Sequence, residues 1–374
     1  MTKKKNSAPS LKVVYLLGAG ATQAEVSLKD DTIHILMDNI REGILKKIDK
    51  QNISELLEIK NELSKEEMDV EHLITLYEST GINKHDIIAK KLKELFINEI
   101  REKISKLGAD YIPRLLVALI DMHEIDGLNE KLLGIITLNY EDLLEKAMQR
   151  VKHGVDYSIK LNSTHRYLKI KPQVTPVLKL HGSFNWKNEF PITLVDEDKI
   201  ECTEDMLWIP PGVEKKRERY PFNILWGRAK ELLDCDILRI IGCSLSRNDW
   251  QLISLLYTTQ QLTSHKKEYT IELIDYADAG EKIRKDYSYL SFRIISDIKE
   301  VRDSLIRSFS RTSKDEEKLY LAIEELLNNR KTNIFDTWLR AKGEDLKERS
   351  IQTKTTKNYF ENFINEVRYN ENTT

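Results

Sequence analysis

The stretch that most constrains the fold is Val13-Val14-Tyr15-Leu16-Leu17-Gly18-Ala19-Gly20-Ala21-Thr22. The apolar run reads as a buried β-strand, and it ends in a glycine turn. Thr22, Gln23, Ala24 and Glu25 follow and can open a helix. A strand, a Gly-x-Gly turn and a helix N-terminus together make a site for a phosphate. The glycines let the backbone turn sharply and let a ligand approach main-chain N–H groups, while the helix adds unpaired donors and the positive end of its dipole. The same turn can also do no more than pack a helix closely against a sheet, and the glycines alone do not separate the two readings.

The strand–helix unit does not close at once with a second strand. From about 33 to 107 the apolar residues recur at helical spacing, as in Ile33, Leu36, Met37, Ile40, Ile44, Leu45 and Ile48, then Val70, Leu73, Ile74 and Tyr77, then Ile87, Ile88, Leu92, Leu95, Phe96 and Ile100. This predicts a helical insert, placed where it can cap the glycine turn. A second strand, Gly134 to Leu138, runs into Asn139-Tyr140-Glu141-Asp142, where a helix is expected to start. A third, Val174 to Leu180, ends in His181-Gly182-Ser183. Residues 184–220 read as irregular, with short strand candidates at Ile192 to Val195 and Met206 to Ile209. After a helix from Phe222 to Leu233, a fourth strand, Asp236 to Ile241, ends in Gly242-Cys243-Ser244. A fifth, Tyr269 to Ile274, ends at Asp275, and Phe292 to Ile295 is the sixth. Strands alternating with helices predict an α/β fold, a Rossmann-like doubly wound parallel sheet. The expected organisation is a disordered leader over 1–10, a sheet domain over 11–310 with the insert at about 33–107, and a helical C-terminal extension over 311–374.

Composition narrows the function classes. A formal net charge of -2 gives no global electrostatic case for nucleic acid or an anionic membrane. The three cysteines, Cys202, Cys235 and Cys243, form no Cys-x-x-Cys pair, so a zinc ribbon is not expected and reduced thiols in a cytoplasmic protein are. No apolar run approaches the roughly 20 residues needed to span a bilayer. The histidines are scattered with no His-Glu-x-x-His, so no catalytic metal is predicted. No Gly-Lys-Ser/Thr follows the glycine turn, which excludes a P-loop ATPase.

In an open parallel sheet, ligands bind beyond the carboxyl ends of the strands. Gly18 and Gly20, Asn139, His181, Gly242 and Ser244, and Asp275 all fall at such ends. Each alone has a bland reading, a helix cap for Asn139 and a satisfied histidine for His181, but their convergence on one crevice favours a site. Cleavage of a glycosidic bond in a nucleotide suits these groups. The turn holds phosphates, Asn139 hydrogen-bonds a ribose hydroxyl or places a water, and His181 accepts a proton near neutrality.

Four motifs carry a resemblance. Gly18-Ala19-Gly20-Ala21-Thr22, Thr137-Leu138-Asn139-Tyr140-Glu141-Asp142-Leu143-Leu144-Glu145, Lys179-Leu180-His181-Gly182-Ser183 and Ile241-Gly242-Cys243-Ser244-Leu245-Ser246 resemble, in order, those of the sirtuin superfamily. They look most like its divergent branch in bacterial anti-phage defence systems. The resemblance spans roughly residues 11–300, with the helical insert and the tail outside it. It implies an NAD site lined by Gly18, Ala19, Gly20, Ala21 and Thr22, with Asn139 orienting ribose or water and His181 as catalytic base. Glu141 stands where the family carries Asp, and Asp142 can substitute for it. Gly242, Ser244 and Asp275 would lie near the adenosine half. The Gly-Ile-Pro-Asp-Phe-Arg-like stretch and four-cysteine zinc module of deacetylating sirtuins are missing. The resemblance thus implies an enzyme that gives water, rather than acetyl-lysine, to the nicotinamide ribose: an NAD glycohydrolase releasing nicotinamide and ADP-ribose in abortive infection. It further implies a homo-oligomer and pairing with a HerA-type ATPase, through which any nucleic-acid contact would come.

Other readings stay open at this point. A non-catalytic NAD or ADP-ribose sensor would need neither Asn139 nor His181. A nuclease-associated subunit of a defence complex lacks a carboxylate cluster of the metal-binding kind. A protein deacylase is the conservative option. The run Lys215-Lys216-Arg217-Glu218-Arg219 reads as a solvated loop before a phosphate contact.

Overall fold

The computed structural model describes residues 10–51, 54–57, 59–65, 69–125, 128–162, 173–196, 200, 203–210, 217–263, 269–275, 277–295, 333–348 and 359–370. The expected leader, apart from Ser10, and much of the expected C-terminal extension lie outside these residues, as do Lys215 and Lys216. The strands are β1 (Leu11–Leu17), β2 (Glu130–Thr137), β3 (His153–Asp156), β4 (Gln173–Lys179), β5 (Gly182–Lys187), β6 (Thr193–Leu194), β7 (Met206–Trp208), β8 (Ile237–Ile241), β9 (Thr270–Ile274) and β10 (Phe292–Ile295). The helices are α1 (Ala19–Lys29), α2 (Met37–Gln51), α3 (Ser54–Leu57), α4 (Lys60–Leu63), α5 (Val70–Ser79), α6 (Asn83–Ser105), α7 (Arg114–Asp121), α8 (Leu143–Arg150), α9 (Phe222–Leu232), α10 (Trp250–Thr263), α11 (Ala277–Asp286), α12 (Ile334–Glu348) and α13 (Tyr359–Asn370).

Seven strands form one parallel sheet in the order β10-β9-β8-β1-β2-β4-β3. The α/β, Rossmann-like fold read from the sequence is the fold observed. From β1 the chain proceeds to β2 on one side, whereas β8, on the other side of β1, proceeds outward to β9. The winding therefore reverses between β1 and β8, which is where open α/β sheets hold their ligands. The register levels the carboxyl ends: Leu17 pairs with Thr137 and with Ile241, Ile241 with Ile274, and Thr137 with Lys179. The residues that follow these strands accordingly share one edge.

Two differences from the sequence reading concern strands. The edge strand β3, His-Gly-Val-Asp, has no apolar run to announce it. In β5, where irregular chain was expected, Phe184 and Trp186 alternate with polar residues, and β5 pairs antiparallel with β6 and β7 in a separate small sheet. The helix expected at Asn139 begins later, at Leu143.

The sheet's centre carries buried charge on the side covered by α12. The Arg239 guanidinium donates to both carboxylate oxygens of Glu130, at 2.6 and 2.8 Å, and from Nε to Glu272 at 2.8 Å. Lys342 of α12 donates to Glu130 at 3.0 Å, and Arg239 lies 5.1 Å from the Trp338 ring centroid. Buried charges persist only when paired, so this network ties α12 to the sheet. Phe335, Trp338 and Leu339 join the same core as β1 and β8. Another buried carboxylate, Glu25 of α1, accepts from Tyr111 Oη and from the backbone N–H groups of Arg114, Leu115 and Leu116 at the start of α7, at 2.5–3.0 Å. These are the donors that a helix start leaves without partners. Burial nevertheless holds the Glu25 carboxyl above its usual range.

The helices α2, α5 and α6 build a second core around Ile40, Ile44, Leu73, Leu92 and Phe96. Phe184 of β5 and Met206 and Trp208 of β7 complete it. Insert and small sheet are thus one cap, although some 80 residues of sequence separate them.

Glu25→Ala removes the acceptor from several buried donors at once and is expected to cost about 3 kcal/mol, read as a lower midpoint in denaturant unfolding. An unchanged midpoint would contradict this role for the carboxylate.

Candidate functional site

At the reversal point the ends of β1 and β8 interlock through backbone. Gly18 N–H donates to Ile241 O at 3.0 Å and Gly20 N–H to Gly242 O at 2.7 Å. A β-carbon on Gly18 would lie 2.5 Å from Gly242 O, and one on Gly242, whose φ is +58°, would lie 2.1 Å from Ala21 N. No side chain fits in either place. Ala21 N–H donates back to Gly18 O at 3.0 Å. The donors of Gly20 and Ala21 thus serve the fold. What the turn offers an anion is the positive end of α1, which starts at Ala19 with no side-chain cap.

Asn139 is joined to this turn. Its Nδ2 donates to Gly18 O at 3.0 Å and to Thr22 Oγ1 at 2.8 Å, leaving the side-chain oxygen as its group for a ribose hydroxyl or water. Thr22 in turn donates to Glu141 Oε1 at 2.5 Å. Burial pushes the Glu141 carboxyl above its ordinary range, opposed by the nearby Lys179 charge. Lys179 is itself buried, donating to Glu141 O at 2.6 Å and to Glu145 at 3.0 Å. The strand–turn segment after β2 is thereby pinned to the first turn of α1 before α8 begins.

His181 sits in the tight connection from β4 to β5. It is 4% exposed, and its Nε2 lies 3.5 Å from Asp249 Oδ1. The segments 139–141 and 181–184 run side by side, because Tyr140 O accepts from Ser183 Oγ at 2.8 Å and from Phe184 N–H at 3.1 Å. The Tyr140 ring stacks on Phe184 (centroids 5.0 Å) and lies 6.2 Å from the His181 ring. Burial first, and then the charges of Glu71 and Asp249, push the Tyr140 hydroxyl well above its usual range. Glu71 and Asp69, at the start of α5, both accept from Asn248 Nδ2, at 2.7 and 3.2 Å. The cap thus holds the residue next to the histidine's carboxylate partner.

The structure brings Gly18, Ala19, Gly20, Ala21, Thr22, Asn139, Glu141 and Gly242 into one bonded cluster, with His181 linked to it through Tyr140. Asp275 follows β9 beside Gly242, whose N–H donates to Ile274 O at 3.3 Å. Burial, with the charges of Asp249 and Asp275, pushes the Cys243 thiol up to about 12. Ser244 is exposed at the same edge. The sequence reading missed Asp249, Tyr140 and Glu71. Asp249 was within view as part of Arg247-Asn248-Asp249, on a short 3-10 turn just past the Gly-Cys-Ser strand end. Phe184 and Trp186 are wholly buried in packing. Arg219 donates to Trp208 O at 3.1 Å and lies 5.4 Å from the Phe222 ring centroid. Among the described residues, no group of three or more His, Cys, Asp or Glu is placed to hold a metal, and no helix is long and apolar enough to cross a membrane.

Fold and site together define a Rossmann-like α/β protein with a polar site at the sheet's reversal point. The SIR2-like domain family matches residues 133–290, a span that contains Asn139, His181, Gly242, Ser244, Asp249 and Asp275 and begins after the first glycine turn. The match takes in less than half of the chain. No curated protein matches the chain. Among solved structures, two complexes of mutant Sir2 homologues with ADP-ribose are similar at 16% identity and a TM-score of 0.37, covering 80% of this chain and 92% and 91% of theirs. A third such complex has the same identity and a TM-score of 0.33. The fold assignment rests on strand order and register, independently of these likenesses.

Gly242→Ala combines a left-handed backbone with a β-carbon in contact with α1 and is expected to destabilise the protein by about 2–4 kcal/mol. Gly227→Ala, where a β-carbon meets nothing within 4 Å, is the matched control and should be neutral or mildly stabilising in the same thermal melts. Equal effects of the two would contradict the interlock.

Proposed function

We propose that this protein is an NAD glycohydrolase that cleaves NAD to nicotinamide and ADP-ribose, depleting NAD in anti-phage abortive infection. The observation that carries the reading is the level carboxyl edge of the sheet: it joins Asn139 to the first turn of α1 and sets the His181–Asp249 pair, 3.5 Å apart, beside the same segment. The SIR2-like match over residues 133–290 supports it.

In this reading the pyrophosphate lies toward the N-terminal end of α1 and the Gly18–Gly242 junction. Ser244 and Asp275 face the adenosine half. Asn139 Oδ1 orients the nicotinamide ribose or the attacking water. The bond from C1′ to the pyridinium nitrogen breaks, its electron pair neutralising the ring, and the water oxygen bonds to C1′. The proton passes to His181 and then to solvent. An imidazolium formed at His181 is stabilised by Asp249, and the nearly dry surroundings strengthen that attraction. Thr22 and Glu141 hold Asn139 in place.

The proposed organisation is a leader over 1–10, a sheet domain over 11–310 with the insert at about 33–107, and an extension over 311–374. Because Asp69 and Glu71 of the insert hold Asn248, the insert is suited to restrain the site until a trigger arrives. The protein is proposed to act in the cytoplasm as a homo-oligomer with a HerA-type ATPase, and without a resident metal.

NAD consumption by the purified chain, with and without such an ATPase, tests the reading. Release of nicotinamide and ADP-ribose should fall about 10²–10⁴-fold in His181→Ala and comparably in Asn139→Ala. Asp249→Asn should fall less and shift the pH profile. Turnover that survives His181→Ala would overturn the role given to that histidine, and NAD binding without turnover in every condition would overturn the enzyme and favour a sensor.

A further inference from the structure

A groove of about 690 Å³ opens at the far end of α1, away from the glycine turn. The 11 residues of α1, at a rise of 1.5 Å each, separate the two sites by roughly 15 Å. The groove is walled by the end of α1, the 107–112 connection, the start of α7, the end of α8 and one face of α13. Its volume is within the roughly 300–1,000 Å³ usual for small-molecule sites.

The lining has a distinct chemistry. Lys29, Arg114 and Arg150 supply positive charge from three different helices, against the single carboxylate of Asp110. Tyr111 and Tyr359 supply aromatic walls, and the Arg150 guanidinium lies 4.9 Å from the Tyr359 ring centroid. The Tyr111 hydroxyl is fixed by Glu25, and α13 is fixed to α7 where Phe360 N–H donates to Asp121 at 2.9 Å. The walls are therefore anchored while the cationic ends of Lys29 and Arg150 remain exposed. Arginine and lysine converging on one cavity suit phosphate oxygens, and tyrosine faces suit a planar base.

We propose that this groove is a second ligand site, separate from the sheet-edge site, which binds a nucleoside phosphate with its phosphates on Lys29, Arg114 and Arg150 and its base against Tyr111 and Tyr359. Such a ligand would bridge α1, α7, α8 and α13, and so would touch the helix whose other end forms the glycine turn. The proposal stands apart from the reading of the sheet-edge site as an NADase, and its test does not require turnover.

The full chain is titrated with ATP as probe by calorimetry, and hydrogen exchange is recorded with and without ATP. Wild type should bind, with protection appearing over 107–112 and 359–363. The double variant Lys29→Glu/Arg150→Glu changes two exposed side chains. It should bind ATP at least about tenfold more weakly, a difference of about 1.4 kcal/mol, while keeping the wild-type melting temperature and whatever NAD turnover wild type shows. Three results would overturn the proposal: no ATP binding by wild type, unchanged binding by the double variant, or protection confined to 18–22 and 242–245.

Discussion

Everything at the sheet's carboxyl edge depends on how closely two backbones meet. The Gly18–Gly20 turn and Gly242 pack with no room for a β-carbon on Gly18 or Gly242. That contact sets the height of α1 above the sheet. It also sets where Thr22 stands, and hence where Asn139 and Glu141 can be held. Because β1 and β8 are the neighbours from which the chain winds in opposite directions, their junction is where an open sheet of this kind leaves a crevice between its connecting helices. Topology opens the crevice, and glycine lets its two walls lock together.

The candidate base comes to this edge by a different route. His181 lies where the chain leaves the main sheet for the small one, and β5 continues directly into the core shared with the helical insert. The cap and the histidine are therefore parts of one mechanical unit. Asp249 comes from the β8 side, and its neighbour Asn248 is held by Asp69 and Glu71 of the cap. The glycine junction and the histidine with its partner are thus supported by separable parts of the structure.

Much of the sheet was legible in the sequence, because buried parallel strands are written as uninterrupted apolar runs ending in small or polar residues. β1, β8, β9 and β10 appear close to where their runs predict them. The edge strand β3 was not legible, since His-Gly-Val-Asp carries a single aliphatic side chain and makes no apolar run. β5 was hidden because its alternation is short and follows a motif that draws the reading elsewhere. The glycines, Asn139 and His181 stood out by position. Asp249, Tyr140 and Glu71 did not, because their importance lies in contacts across long stretches of chain. The burial of α12 was also unreadable: Lys342 looks like a surface residue until Glu130 and Arg239 are seen beneath it.

The central claim is that water attacks the nicotinamide ribose of NAD at this edge. Turnover of NAD in ¹⁸O-labelled water, with the products weighed by mass spectrometry, tests it most directly. The account predicts ADP-ribose carrying one ¹⁸O as first formed, alongside unlabelled nicotinamide. ADP-ribose attached to protein or another acceptor, with no labelled free ADP-ribose, would contradict it.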